Sequence, residues 1–239
     1  MSLNDFSISK PRPLPVFLLA DTSASMSGEK IDTLNTALSE MKTVLTAMAG
    51  PRGNIEIGLI GFGGEEALCL VKPAGIGSVT IPELDAAGKT PMGAAFDLAC
   101  TLIQDENIVS RRAYNPTLIL VSDGLPTDLP EDLRQKAKEK RATREDFLRW
   151  PSLQNLHSAE RLAGCMRLAV GVGDNACFPM LHAFVNTPGT PVIRAVDASG
   201  IDKFLQWVTL SIASRSMSVR PNEPFLAALS GFDDYEIVI

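Results

Sequence analysis

Three continuously apolar runs each end abruptly on a polar, oxygen-rich turn. LPVFLLA (14–20) runs into DTSAS, TLILVSDG (117–124) carries its own turn, and MRLAVGVG (166–173) repeats the pattern. A strand with one solvated face alternates apolar and polar residues, so a strand apolar at every position has to be buried on both faces. PVIRAV (191–196) is a weaker copy. IEIGLIGFG (55–63) and ALCLV (67–71) are separated only by GEE and read as a hairpin. Between the runs, residues 29–49 set Ile31, Leu34, Ala37, Leu38, Met41, Leu45 and Met48 at helical spacing, closed by Gly50 and Pro51. PMGAAFDLACTLI (91–103) predicts a helix whose small residues let it approach a sheet closely. Further helices are expected over 131–149, 152–163, 176–186 and 200–216. The pattern predicts an α/β fold: a doubly wound, mostly parallel central sheet with helices on both faces and one antiparallel edge hairpin. One domain is expected over 14–218. It follows a flexible arm, 1–13, in which prolines block helix formation, and precedes a tail, 219–239, packed on the domain. FDDYEIVI (232–239) at the end of that tail predicts an edge strand; its acids Asp233, Asp234 and Glu236 could instead reach a neighbouring molecule's metal site.

Composition narrows the function classes. The chain of 239 residues is 45% apolar and 21% charged, enough to bury a core. Its 22 basic and 28 acidic residues give a net charge of −6, against a mainly nucleic-acid-binding role. The first residues, MSLNDFSISKPRPLP, are polar and proline-rich, and VFLLA after them is too short for a signal peptide or a membrane span. A cytoplasmic location is expected. Cys69, Cys100, Cys165 and Cys177 are scattered with no CxxC pair, and read as inert thiols in a reducing compartment. Cys177 lies in the least apolar surroundings, yet no base sits beside it.

Ligands of open parallel sheets bind at the carboxyl ends of the strands. Three segments expected there carry oxygen side chains: Asp21-Thr22-Ser23-Ala24-Ser25, Gly88-Lys89-Thr90-Pro91 and Ser122-Asp123-Gly124. Two carboxylates and several hydroxyls, with no imidazole or thiolate, suit a hard divalent cation, Mg²⁺ first and Mn²⁺ or Ca²⁺ next. In an extended strand end, residues 21, 23 and 25 face the same way and can converge. The simpler alternative is that Ser23 and Ser25 cap the following helix.

DTSAS, the downstream Thr of GKTPMGAAF and the SDG turn together resemble a von Willebrand factor A domain with a metal-ion-dependent adhesion site. The five motif elements fall in order on Asp21, Ser23, Ser25, Thr90 and Asp123. The longer stretches VFLLADTSASMSGEKIDTLN, TPMGAAFDLA and LILVSDGLPTD are similar to the bacterial TerY-like proteins of tellurium resistance and stress response. The resemblance implies that Ser23, Ser25 and Thr90 hold the cation directly or nearly so, and that Asp21 and Asp123 act largely through water. It further implies a non-enzymatic interaction module, in which the cation bridges to an Asp or Glu of an acidic protein partner. A bacterial setting in stress, tellurium resistance or phosphorylation signalling goes with it, as does a shift of the last helix (200–216) on partner binding.

Other motifs have plainer readings. GKT at 88–90 lacks the earlier glycine of a phosphate-binding loop, since position 83 is Glu83. GVGDNA (171–176) follows a dinucleotide fingerprint until Ala176, and its glycines serve the turn after a strand. A Mg²⁺-dependent phosphoryl hydrolase using the same carboxylates is the enzymatic rival. Ser23 stands where such a site needs its second acid. A structural protein with an unused site is the third reading. His157 and His182 sit in no activating context and read as surface or packing residues. Residues 131–149 carry seven basic and five acidic side chains. They read as a solvated helix laced with ion pairs, with a docking surface beside the metal loop as the alternative.

Overall fold

The computed structural model describes residues 11–48, 54–223, 225–227 and 236–238. In chain order its elements are β1 (Pro13–Asp21), α1 (Glu29–Met48), β2 (Asn54–Gly63), β3 (Glu66–Gly75), α2 (Met92–Gln104), β4 (Thr117–Ser122) and α3 (Glu131–Lys138). There follow α4 (Arg144–Phe147), α5 (Pro151–Ser158), β5 (Met166–Val172), α6 (Phe178–Val185), β6 (Val192–Ala195), α7 (Ser199–Met217) and β7 (Glu236–Val238). The seven strands form one sheet in the order β3-β2-β1-β4-β5-β6-β7.

Burial explains the apolar runs. β1 is buried at every position after Pro13, and its neighbours on both sides, β2 and β4, are parallel to it. Its side chains alternate between two cores. Val16, Leu18 and Ala20 pack under α1 and α7, whereas Phe17 and Leu19 pack under α2, α5 and α6. β4 and β5 are likewise buried throughout. The predicted hairpin is β2 and β3, antiparallel at one edge. At the other edge β7, the edge strand expected of the tail, adds a second antiparallel pairing, to β6.

Because β1 is flanked by β2 on one side and β4 on the other, the chain leaves β1 in one direction and later returns past it. That reversal makes the crevice at the carboxyl ends of β1 and β4 the topological switch point of the sheet.

Two expected helices are divided. The charged stretch 131–149 is α3 and α4, each anchored on a single buried side chain, Leu133 and Phe147, with only the small, partly buried Ala137 and Ala142 between them. Lys140 turns into the left-handed region (φ 54°). Thr143 then starts α4 with a capping box: its N–H donates to Asp146 Oδ2 (2.9 Å), and its hydroxyl accepts from the Asp146 N–H. The stretch 152–163 ends as a helix at Ser158. Ala159 becomes extended, and a 3-10 turn drops Leu162 into the core. The described end of the N-terminal arm is tied down rather than free: the Arg12 guanidinium stacks on Tyr114 (4.2 Å), and Tyr114 N–H donates to Pro13. Residues 1–10 of the arm, and Asp233 and Asp234 of the tail, lie outside the described residues.

Arg215, 1% exposed, is buried without a carboxylate. It donates instead to Pro221 O (2.8 Å), Thr117 Oγ1 (2.5 Å) and Asn115 O (2.9 Å), fastening the end of α7 to the start of β4. Burial pulls its pKa below the ordinary guanidinium value, and three acceptors offset that cost.

Close backbone approach shapes the switch-point rim. Thr22 N–H donates to Phe62 O and Thr22 O accepts from Ala87 N–H, so the β1 end, the β2 end and loop 86–89 are laced together. A Cβ at Gly63 would overlap the Thr22 carbonyl. Gly63→Ala is therefore expected to cost about 1–3 kcal/mol by overpacking. Gly75→Ala, whose Cβ would meet nothing nearer than 3.6 Å, should leave stability close to wild type. Urea unfolding midpoints of the two variants check this.

Candidate metal centre

β1 delivers Asp21 to the switch point with its side chain fully buried. Its carboxylate is claimed on both oxygens: Oδ1 accepts from Ser23 N–H (2.9 Å) and Oδ2 from the Ser122 hydroxyl (2.6 Å). The second bond ties the end of β1 to the end of β4. Burial raises the Asp21 pKa above its ordinary value. The hydrogen bonds from Ser122 and Ser23 oppose that shift, and the nearby Asp123 charge adds to it.

The chain then makes a 3-10 turn, Ala24–Met26, that brings the two serines together, with Ser23 Oγ 3.1 Å from Ser25 Oγ. No capping bond from the Ser23 side chain is present there. The Ser25 hydroxyl donates to Asp123 Oδ1 at 2.7 Å. Asp123, directly after β4, is 1% exposed. The period-two reading of DTSAS therefore leads to the observed convergence, although the turn rather than an extended strand achieves it.

Thr90 arrives from the loop before α2, and its position is held by main-chain bonds. Ala24 N–H donates to Gly88 O (3.1 Å), Thr90 N–H donates to Thr127 Oγ1 (3.1 Å), and Thr127 N–H donates back to Thr90 O (2.9 Å). Asp128 accepts from the Gly93 and Ala94 N–H groups, seating the first turn of α2. Gly124 leaves a gap: a Cβ there would stand 3.8 Å from Ser25 Oγ and 4.0 Å from Thr90 Oγ1. Hydrogen bonds thus join Asp21, Ser23, Ser25 and Asp123 in one cluster, and Thr90 Oγ1 shares the surroundings of Gly124 with Ser25 Oγ; Asp21, Ser23, Thr90 and Asp123 are buried, whereas Ser25 is exposed.

A divalent cation fits this set. Its donors are hydroxyl and carboxylate oxygens only, the ligand chemistry of a hard ion, and the Gly124 gap lies among them. Among the described residues no group of three or more His, Cys, Asp or Glu side chains could hold a metal, so hydroxyls have to complete any ligand set. Among the described residues, the ammonium that meets this carboxylate pair is Lys30, whose Nζ donates to Asp123 Oδ2 at 2.5 Å and to Ser25 O at 3.2 Å.

Sequence reasoning placed Ser122 in an oxygen-bearing segment without giving it a role, and missed three contributors. Thr127 and Asp128 were visible only as parts of SDGLPTD, whose letters do not say which side chains point inward. Lys30 was given no role.

A family model described as the von Willebrand factor type A domain matches residues 16–125. That span contains all five site residues. Residues 16–125 are thus similar to a von Willebrand factor type A domain. Solved structures share the fold of this chain. The pilus adhesin SpaC of Lactobacillus rhamnosus GG superposes with a TM-score of 0.64 at 16% identity, covering 86% of this chain and 31% of that one. The von Willebrand factor domain of the type V pili tip protein Mfa5 from Porphyromonas gingivalis gives 0.58 at 12%, covering 87% and 97%. Proximal thread matrix protein 1 from the mussel byssus, with its MIDAS motif occupied by zinc, gives 0.53 at 15%, covering 84% and 45%. The chain spans less than half the length of the first solved chains it matches. No protein of curated function matches it. No helix of the described residues is long and apolar enough to cross a membrane.

Other reactive groups stand apart from the switch point. Burial pushes the thiols of Cys100 and Cys177 up to about 11 and that of Cys165 up to about 12, and it raises Cys69 as well. None is a thiolate at neutral pH. GVGDNA forms the end of β5 and a turn in which Gly173 takes φ +74°. His182 lines a cleft of about 530 Å³ beside α6 with Arg144 and Asn186. His157 Nδ1 lies 2.9 Å from Asn186 Nδ2 and accepts its proton. Burial first, and the charge of Arg167 second, lower the His157 pKa to about 4. A neutral folded imidazole and a charged unfolded one make stability fall as pH drops from about 6.5 toward 4. His157→Gln should flatten that limb by about one proton near pH 5, read as the slope of unfolding free energy against pH.

Proposed function

We propose that this chain is a non-enzymatic interaction module that uses a divalent cation, Mg²⁺ first and Mn²⁺ or Ca²⁺ next, to capture an acidic side chain of a protein partner. The observation that carries this reading is the clustering of Asp21, Ser23, Ser25, Thr90 and Asp123 at the switch point, with Ser25 on its exposed side and the other four buried. Ser23, Ser25 and Thr90 would hold the ion as neutral ligands. Asp21 and Asp123, already committed to hydrogen bonds, would support it from behind. A divalent cation bound there offers an open coordination position that accepts an anionic oxygen.

Each chain residue has a definite task in this scheme. The Ser122 hydroxyl keeps Asp21 fixed and satisfied in its buried place. Thr127 clamps the main chain on both sides of Thr90, so the Thr90 hydroxyl is presented without freedom to swing. Gly124 keeps the approach open. Against the rival phosphoryl hydrolase, Ser23 occupies the place of a second acid, and its hydroxyl is paired with Ser25.

The docking face extends beyond the five residues. A cleft of about 520 Å³ begins at Leu125, two residues past Asp123, and is lined further on by Lys138, Lys140 and Phe178. Its lysines suit an acidic partner segment. The four cysteines are free, in keeping with a reducing compartment such as the cytoplasm. A role in bacterial stress response, tellurium resistance or phosphorylation signalling rests on the sequence resemblance alone, as does a shift of α7 on binding.

Calorimetric titration with MnCl₂ tests the site. Wild-type protein is expected to take up one Mn²⁺ per chain, and Ser23→Ala to bind it at least about tenfold more weakly, a loss of about 1.4 kcal/mol. Equal affinity in the two proteins would overturn the assignment. Phosphatase turnover in Mg²⁺ that disappears in Asp21→Ala would replace the bridging role with a catalytic one.

A further inference from the structure

Lys30 occupies an unfavourable place for a lysine. It is the second residue of α1, in the helix's first turn, where the exposed N–H groups and the helix dipole favour acids such as its neighbours Glu29 and Asp32. Its side chain nevertheless folds back to donate to Asp123 Oδ2 at 2.5 Å and to the Ser25 carbonyl at 3.2 Å, with the carboxylate 1% exposed and the lysine 32% exposed. Asp123 accepts on its other oxygen from Ser25, one of the proposed ligands. The ammonium is thus a third charge of the candidate metal centre, carried on the chain itself.

Its sign has two opposite consequences. With Asp21 and Asp123 ionised, the site without an ion carries one net negative charge when Lys30 is present and two when it is neutralised. Addition of a divalent cation makes the same site singly positive with Lys30 and neutral without it. The ammonium therefore opposes entry of the cation and favours arrival of an anion once the cation is bound.

We infer that Lys30 couples the two binding events, lowering the site's affinity for the cation alone and raising the loaded site's affinity for a partner carboxylate. This rests on the metal-site reading of Asp21, Ser23, Ser25, Thr90 and Asp123, and it adds a determinant that the five-residue motif does not contain. The attraction between ion and carboxylate makes each raise the affinity for the other, and the ammonium sets the balance of the two steps, weakening the ion alone and strengthening the carboxylate that follows it.

The test uses the full chain, MnCl₂ as the cation and acetate as the carboxylate. Mn²⁺ affinity is read by calorimetry, and acetate binding to the Mn²⁺-saturated protein by the fall in water-proton relaxation as bound water is displaced. Lys30→Met is expected to bind Mn²⁺ about tenfold more tightly and acetate several-fold more weakly, whereas Lys30→Arg, which keeps the charge, should track wild type in both. Lys30→Gln replaces Lys30→Met if circular dichroism shows the latter unfolded. A purely structural lysine would move neither affinity or would weaken both. If wild type binds Mn²⁺ and the neutral variants match it, or both affinities change in the same direction, the coupling role is overturned and the metal site stands. Wild-type protein that takes up no Mn²⁺ at millimolar concentration overturns the metal site itself, and the coupling with it.

Discussion

The hydrogen bond from the Ser122 hydroxyl to Asp21 Oδ2 joins the carboxyl ends of the two central strands, and the rest of the site is arranged around it. A carboxylate buried to 0% exposure is costly unless its lone pairs are used. Asp21 uses one oxygen on β4 and the other on the Ser23 N–H, so it simultaneously closes the sheet at its switch point and turns the chain after β1. That turn presents the two serine hydroxyls. The same bend places Thr22 where its N–H and carbonyl engage Phe62 and Ala87, which draws in the loop that carries Thr90. One strained electrostatic requirement, satisfied locally, organises three separate segments.

How far this was legible in the sequence depends on the range of the forces involved. Strands buried on both faces cannot hide: LPVFLLA, TLILV and MRLAVGV became β1, β4 and β5 with their boundaries moved by a residue or two. The three oxygen-rich segments were legible because strand-end loops of a parallel sheet converge by topology, while the choice of Asp21, Ser23, Ser25, Thr90 and Asp123 among them came from the family resemblance. Contributors whose role is set by another segment were not legible. Thr127 matters because it lies against Thr90, Asp128 because it faces the N–H groups of Gly93 and Ala94, and neither pairing leaves a local trace. The split of 131–149 into α3 and α4 was missed for a related reason. Charge spacing alone fits a continuous helix, but Leu133 and Phe147 are the buried anchors, one in each piece, and the Thr143–Asp146 box supplies a second start between them. Thr143 three residues before Asp146 is a readable capping signal, and it outweighed the continuity of the charge pattern.

The distribution of charge carries more information than its sum. Within 131–149, Glu131 pairs with Arg134, Lys136 with Asp146, Glu139 with Arg141, and Glu145 with Arg144. These exposed pairs contribute little to stability, at most about 1 kcal/mol each. What they do is cancel most of the segment's charge against itself. Lys138 and Lys140 stand outside those pairs and line the cleft that also takes in Leu125, two residues past Asp123. On a chain of net charge −6, long-range attraction of an acidic partner is disfavoured everywhere except near such a local reversal. Lys30 belongs to the same reversal at closer range, set against Asp123 within the site. The cleft beside Leu125 is itself mixed, with Lys138, Lys140 and Arg194 set against Asp174. Screening over about 8 Å at physiological ionic strength confines the pull of such charges to anions already near that face. An acidic segment, if it is the partner proposed above, would therefore be chosen by short-range contacts and not by the field of a chain whose net charge is −6.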